Sequence, residues 1–116
     1  MHKYLLILKG GEPDPQVMGH EAFMAHMADY YTLTEKLRAS GQFVAGEGLD
    51  STGSVVSNDK GQPVVTDGPL PEAAELVGGF YLIEVGSQAE AEAIARQMPN
   101  LQLGGSVEVR PVMKYD

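Results

Sequence analysis

The chain has 116 residues, with 16 Asp and Glu against 8 Lys and Arg, a formal charge of −8 and no cysteine. That length is one domain, large enough to bury a core without staples, and the missing cysteine excludes a disulfide framework, a thiolate nucleophile and a cysteine-ligated zinc or iron–sulfur centre. An acidic surface with no basic cluster repels nucleic acid and anionic membrane, and the longest apolar run, Tyr4 to Leu8, is too short to cross a bilayer.

No nucleic-acid or membrane partner is therefore expected. No charged start leads into a long apolar run and a small-residue cleavage site, so the expected compartment is the cytoplasm. No fixed-period repeat and no long polar linker divide the chain.

Lys3 to Leu8 predicts a first strand, and its nearly continuous apolar character places it centrally. Gly10, Gly11, Pro13 and Pro15 break it into a loop. Asp14 before Pro15 suits the cap of a helical turn. A long helix follows over Glu21 to Ser40. Phe23, His26, Tyr30, Leu33 and Leu37 recur every three or four residues on one stripe, and Gly41 stands where a left-handed residue ends a helix.

Phe43 to Leu49 predicts a second strand. Ser54 to Ser57 and Gln62 to Thr66 predict a hairpin turning at Asn58-Asp59-Lys60-Gly61. Pro63 marks that hairpin as an edge. Asp67 to Val77 is irregular. Gly79 to Val85 is rich in strand formers. Ser87 and Glu90 have capping-box spacing and open a short helix, buried through Ala91, Ile94, Ala95 and Met98 and stopped by Pro99. Ser106 to Lys114 alternates as a last strand.

Without the inserted hairpin this order is βαββαβ, an α+β ferredoxin-like plan. Both helices are expected on one face of an antiparallel sheet. The open face needs another cover. Taking Leu5, Ile7 and Val85 as one set and Leu6, Leu8, Phe80 and Leu82 as the other, both faces are apolar. A homodimer formed sheet to sheet is therefore predicted.

Val65-Thr66-Asp67-Gly68-Pro69-Leu70 resembles the DGPF signature, with Leu70 in place of phenylalanine. Gly46-Glu47-Gly48-Leu49, Gly78 through Val85, Gly105 through Val112 and the helix from His26 to Gly41 are similar to the corresponding parts of the same family. On these residues the chain resembles the YCII-related proteins of the DGPF type over nearly its whole length. The resemblance implies a single domain, residues 1–116, of dimeric ferredoxin-like α/β-barrel architecture. It also implies a catalytic His–Asp pair and, for some relatives, an association with extracytoplasmic-function sigma factors. Pro71 to Glu75 lacks a lysine that many relatives carry after the signature, which puts an anionic ligand in doubt.

His26 and Asp67 are the candidate catalytic residues. A histidine within an apolar stripe is either a core residue satisfied by a hydrogen bond or a general acid–base group. Asp67 is either an Asx-type turn residue or the carboxylate that orients His26. Glu47 between two glycines, Arg110 on the last strand and Tyr30 are candidate substrate contacts, each with an ordinary structural alternative.

No dinucleotide loop, phosphate loop or nucleophile elbow is present. His20 and His26 are six apart and share no helix face, so no metal is expected. His26 and Asp29 share a face, at a spacing common by chance. The chemistry expected requires no cofactor. It is proton transfer on a small cyclic or unsaturated acid, of isomerase, lyase or dehydrochlorinase type. The alternative is a non-catalytic protein that binds a small molecule or a regulatory partner.

Overall fold

The computed structural model describes residues 1–68 and 76–115. The signature residues Pro69 and Leu70 and the stretch 71–75 lie outside the described residues.

Among the described residues, six strands and three helices follow one another as β1 (His2–Lys9), α1 (Pro15–Met18), α2 (His20–Ala39), β2 (Phe43–Gly48), β3 (Gly53–Asp59), β4 (Gln62–Gly68), β5 (Val77–Val85), α3 (Gln88–Ala95) and β6 (Ser106–Pro111). A 3-10 turn over Pro99–Leu103 precedes β6. β1, β2, β5 and β6 form one sheet in the order β2-β5-β1-β6, with every neighbouring pair antiparallel. With β3 and β4 set aside, this is the ferredoxin-like arrangement, and β1 and β5 are its central strands.

Local chemistry fixes the ends of the elements. The Asp14 carboxylate accepts the Gln16 N–H at 2.9 Å, and Pro15 occupies the first helical position. Gly41 follows the end of α2 with φ at 76°. At the start of α3 the Ser87 hydroxyl accepts from the Glu90 N–H at 3.2 Å, and the Glu90 carboxylate reaches back to the Gly86 N–H at 2.8 Å. The reciprocal bond thus lands one residue before the cap. α3 itself ends at Ala95, three residues short of the expected limit. Pro99 opens the 3-10 turn instead.

Tyr4, Leu6 and Leu8 of β1 and Tyr81, Ile83 and Val85 of β5 form one buried cluster with Leu33 and Leu37 of α2 and Ala91, Ile94 and Ala95 of α3. Both helices therefore cover the same face. Burying a side chain such as Leu6 or Ile83, each fully enclosed, contributes about 1.5–3 kcal/mol.

The opposite face carries Leu5, Ile7, Phe80 and Leu82, all half-buried. Leu5 pairs with Leu82 and Ile7 with Phe80. This corrects the grouping of apolar residues by odd and even number. Side chains directly opposite across a ladder share a face, so register decides the grouping. Val85 joins Leu6 and Leu8, while Phe80 and Leu82 join Leu5 and Ile7. β6 is also shorter than expected, and Met113 beyond it is 71% exposed.

β3 and β4 form a separate two-stranded ribbon whose turn residues Lys60 and Gly61 both have positive φ, at 52° and 86°. No substantial packing joins this ribbon to another element. The radius of gyration is 16.1 Å, against about 13 Å for a compact chain of this length. No described helix is long and apolar enough to cross a membrane.

Candidate functional site

A cavity of about 430 Å³ opens between α2, the loop after β1, and the β2–β5 edge of the sheet. Its size falls within the roughly 300–1,000 Å³ usual for small-molecule sites. α2 contributes Met27, Tyr30, Thr34 and Arg38, spaced three and four apart along one helical edge. β2 contributes Phe43 and the stretch from Gly46 to Leu49, β5 the stretch from Gly78 to Tyr81, and the loop Gly10 to Pro13.

Three polar groups are held firmly. The Thr34 hydroxyl donates to the Tyr30 carbonyl at 2.8 Å and accepts from the Tyr81 hydroxyl at 2.8 Å. Burial pushes the Tyr81 phenol up. Burial also pushes the Tyr30 phenol up, to about 12; the nearby Glu12 carboxylate and Tyr81 add to this, and the Asn100 backbone works against it. Both phenols therefore stay protonated donors at neutral pH. Arg38 lies over the Phe43 ring at 4.6 Å and near the Glu35 carboxylate at 3.6 Å.

Asn100 closes the inner end of the cavity. Its side-chain amide donates to the carbonyls of Lys9, Gly10 and Ser106 at 3.5, 3.4 and 3.0 Å. It thereby ties the end of β1 to the start of β6. Gly11, at φ 63°, packs directly on the Asn100 carbonyl where a Cβ would collide.

The sequence candidates separate in space. Tyr30 lines the cavity; Glu47 borders it on β2, but it stands opposite Phe80 in the β2–β5 ladder, so its carboxylate belongs to the open sheet face. His26, one turn before Tyr30, is 5% exposed and meets the Tyr30 ring edge to face at 5.5 Å. Its Nε2 has no hydrogen-bond partner among the described residues. Asp67 is exposed on β4, opposite Ser54 in the ribbon. No hydrogen bond joins it to His26, so a direct orienting bond does not form within the chain. The reason is topological: the ribbon leaves the sheet, carrying Asp67 on a ladder that does not pack on α2.

Arg110 donates to Glu108 at 3.1 Å, and Lys9 approaches the same carboxylate at 3.2 Å. These contacts hold Glu108 below the usual carboxylate range, Lys9 first. β6 and β2 are opposite edges of the sheet, so Arg110 and Glu47 share no cleft.

Sequence reasoning missed Glu12, Thr34, Arg38, Tyr81 and Asn100. Thr34 and Arg38 carried a usable signal, since they continue the Met27–Tyr30 edge at helical spacing.

A four-stranded antiparallel sheet with two helices on one face defines a ferredoxin-like α+β domain, here with a cleft beside the longer helix. The chain belongs to the YCII-related domain family, whose model matches residues 3–116. It is 40% identical over 63 residues to an uncharacterised protein of Rhizobium meliloti (strain 1021), a match covering 53% of this chain and 51% of that one. The chain thus matches about half the length of that curated relative. Among solved structures, it is similar to a 5-chloro-2-hydroxyhydroquinone dehydrochlorinase from Burkholderia phenoliruptrix AC1100 in complex with 2,5-dihydroxybenzoquinone. That similarity has 18% identity and a TM-score of 0.48, covering 98% of this chain and 95% of the other.

Proposed function

We propose that this protein binds a small ring-shaped molecule in the cleft between α2 and the β2–β5 edge and moves a proton on it without a cofactor. The observation that carries this reading is the cavity itself. It has a mainly apolar wall and converging hydroxyl and carboxyl groups from a rigid helix and sheet, the combination expected of a ligand site. Proton transfer needs only a donor and an acceptor within reach of the substrate. The Tyr30 and Tyr81 phenols supply donors; Glu12 supplies the acceptor. His26 supports Tyr30 from behind, and Asp67 stands apart from this cleft.

A non-catalytic binding protein is the second reading, favoured by the missing His26–Asp67 bond. Ligand-observed NMR with a mixed set of phenols, quinones, cyclic ketones and unsaturated acids tests the shared premise. Saturable binding is expected for the wild type and its loss in Thr34→Phe, which fills the cavity. Binding that survives Thr34→Phe contradicts the cleft. A bell-shaped pH–rate profile for any binder that turns over separates catalysis from binding alone.

Two copies meet, in this proposal, through the open sheet face. Leu5, Ile7, Phe80 and Leu82 supply a contiguous apolar surface, and a two-fold axis lets that surface meet itself.

A further inference from the structure

Glu12 occupies a position that the fold keeps open for it. A Cβ added at Gly78 would meet, as its three nearest atoms, the three heavy atoms of the Glu12 carboxyl group. Gly78 has no positive φ that demands glycine; what a side chain there would displace is Glu12. The loop that presents Glu12 is fixed from both sides, by Gly11 against the Asn100 carbonyl and by the Gly10 N–H donating to the Leu76 carbonyl at 2.9 Å. The residue lines the main cavity and a second hollow beside Leu49 and Leu103, so its carboxyl stands where the two meet. It makes no hydrogen bond or ion pair among the described residues, and its charge bears on the Tyr30 phenol. An exposed carboxylate at a cavity mouth, with no donor on it among the described residues, is left available to a ligand.

Resting on the ligand-site reading above, we infer that Glu12 is the proton acceptor of this cleft and that the cleft takes a neutral ring ketone or ring alcohol rather than a carboxylic acid. The charge balance sets the ligand class. Among the described residues of the cleft, Glu12 stands beside one cation, Arg38, which is already engaged with Phe43 and neutralised by Glu35. An anionic ligand meets net repulsion there. A neutral one donates to Glu12 and accepts from Tyr30.

The step balances without a co-reactant. The Glu12 carboxylate takes a proton from the carbon beside the ring carbonyl. The C–H electron pair becomes a C=C bond while the carbonyl π pair moves to oxygen, where the Tyr30 O–H donates a hydrogen bond. The resulting carboxylic acid returns a proton to the same carbon, giving exchange, or to the vinylogous carbon, giving isomerisation.

Phenol and benzoate, one ring in two charge states, test the assignment by backbone amide shifts on the full chain. Phenol is expected to shift Gly48 and Gly78 saturably, with benzoate at least about tenfold weaker and Glu12→Gln narrowing the gap to about threefold. Gly78→Ala keeps Glu12 in the sequence but pushes its carboxyl from the cleft, and is expected to copy Glu12→Gln. In heavy water, wild-type protein is expected to accelerate deuterium entry beside the carbonyl of cyclohexanone, with about a hundredfold loss in Glu12→Gln. If neither ring shifts the cleft amides, the ligand-site reading falls and the inference with it. If both bind and Glu12→Gln leaves their ratio unchanged, or benzoate binds as tightly as phenol, the Glu12 assignment alone is overturned. Absent or Glu12-independent deuterium exchange overturns the role of proton acceptor.

Discussion

Tyr30 joins the core to the cleft, and its behaviour in alkali is a direct consequence. Its phenol is held up to about 12, above the ordinary 10.0, chiefly by burial. A group whose folded value is raised stabilises the fold fully below its unfolded value. That contribution is lost as pH rises through the folded one. Stability should therefore fall between pH 10 and 12, and Tyr30→Phe should flatten that fall; chemical unfolding at stepped pH measures both. His26 makes a second test. A buried ring nitrogen without a partner costs about 1–3 kcal/mol. His26→Leu, which removes that atom and keeps the volume, should raise stability by about 1 kcal/mol in urea unfolding. A loss of stability would mean that the imidazole has a partner in solution. The stripe that placed His26 inside was legible because helical periodicity depends only on local spacing. Asp67 was not, because whether a ribbon folds back on the body depends on contacts that no local pattern encodes.

Among the elements, β1, α2 and β5 were legible to within one or two residues at each end, since burial on one or both faces writes a strong pattern, while α3 was legible in its start and buried face but not in its end. The cleft was less legible because its wall is made where elements meet. Glu12 follows Gly10-Gly11, and Asn100 lies in a 3-10 turn, two places where periodicity says nothing. Asn100 is nonetheless the cross-tie between β1 and β6. Asn100→Ala leaves buried carbonyls without a donor and should cost about 2–3 kcal/mol by thermal or urea unfolding. The β3–β4 ribbon is the opposite case. It gives the core almost nothing, so replacing residues 53–68 with a short turn should move the unfolding free energy by less than about 1 kcal/mol. A larger loss would show that the ribbon packs on the body in solution.

The molecule is flat, 48 × 47 × 18 Å, and among the described residues α2 and α3 cover one sheet face while no helix covers the other. If two copies share that face, light scattering at micromolar concentration should return twice the 12.4 kDa chain mass. Leu82→Asp, which puts a charge at the centre of the patch, should return the single-chain mass with the fold retained. If the α2–β2–β5 cleft is where this member of the YCII-related family meets its ligand, a bound molecule should be seen there. The most direct measurement is a crystal structure soaked with the tightest binder from the ring-compound set. Density for that molecule is expected between Tyr30, Glu12 and the Gly46–Leu49 stretch. Density on the ribbon beside Asp67 instead, with the cleft holding only solvent, would contradict it.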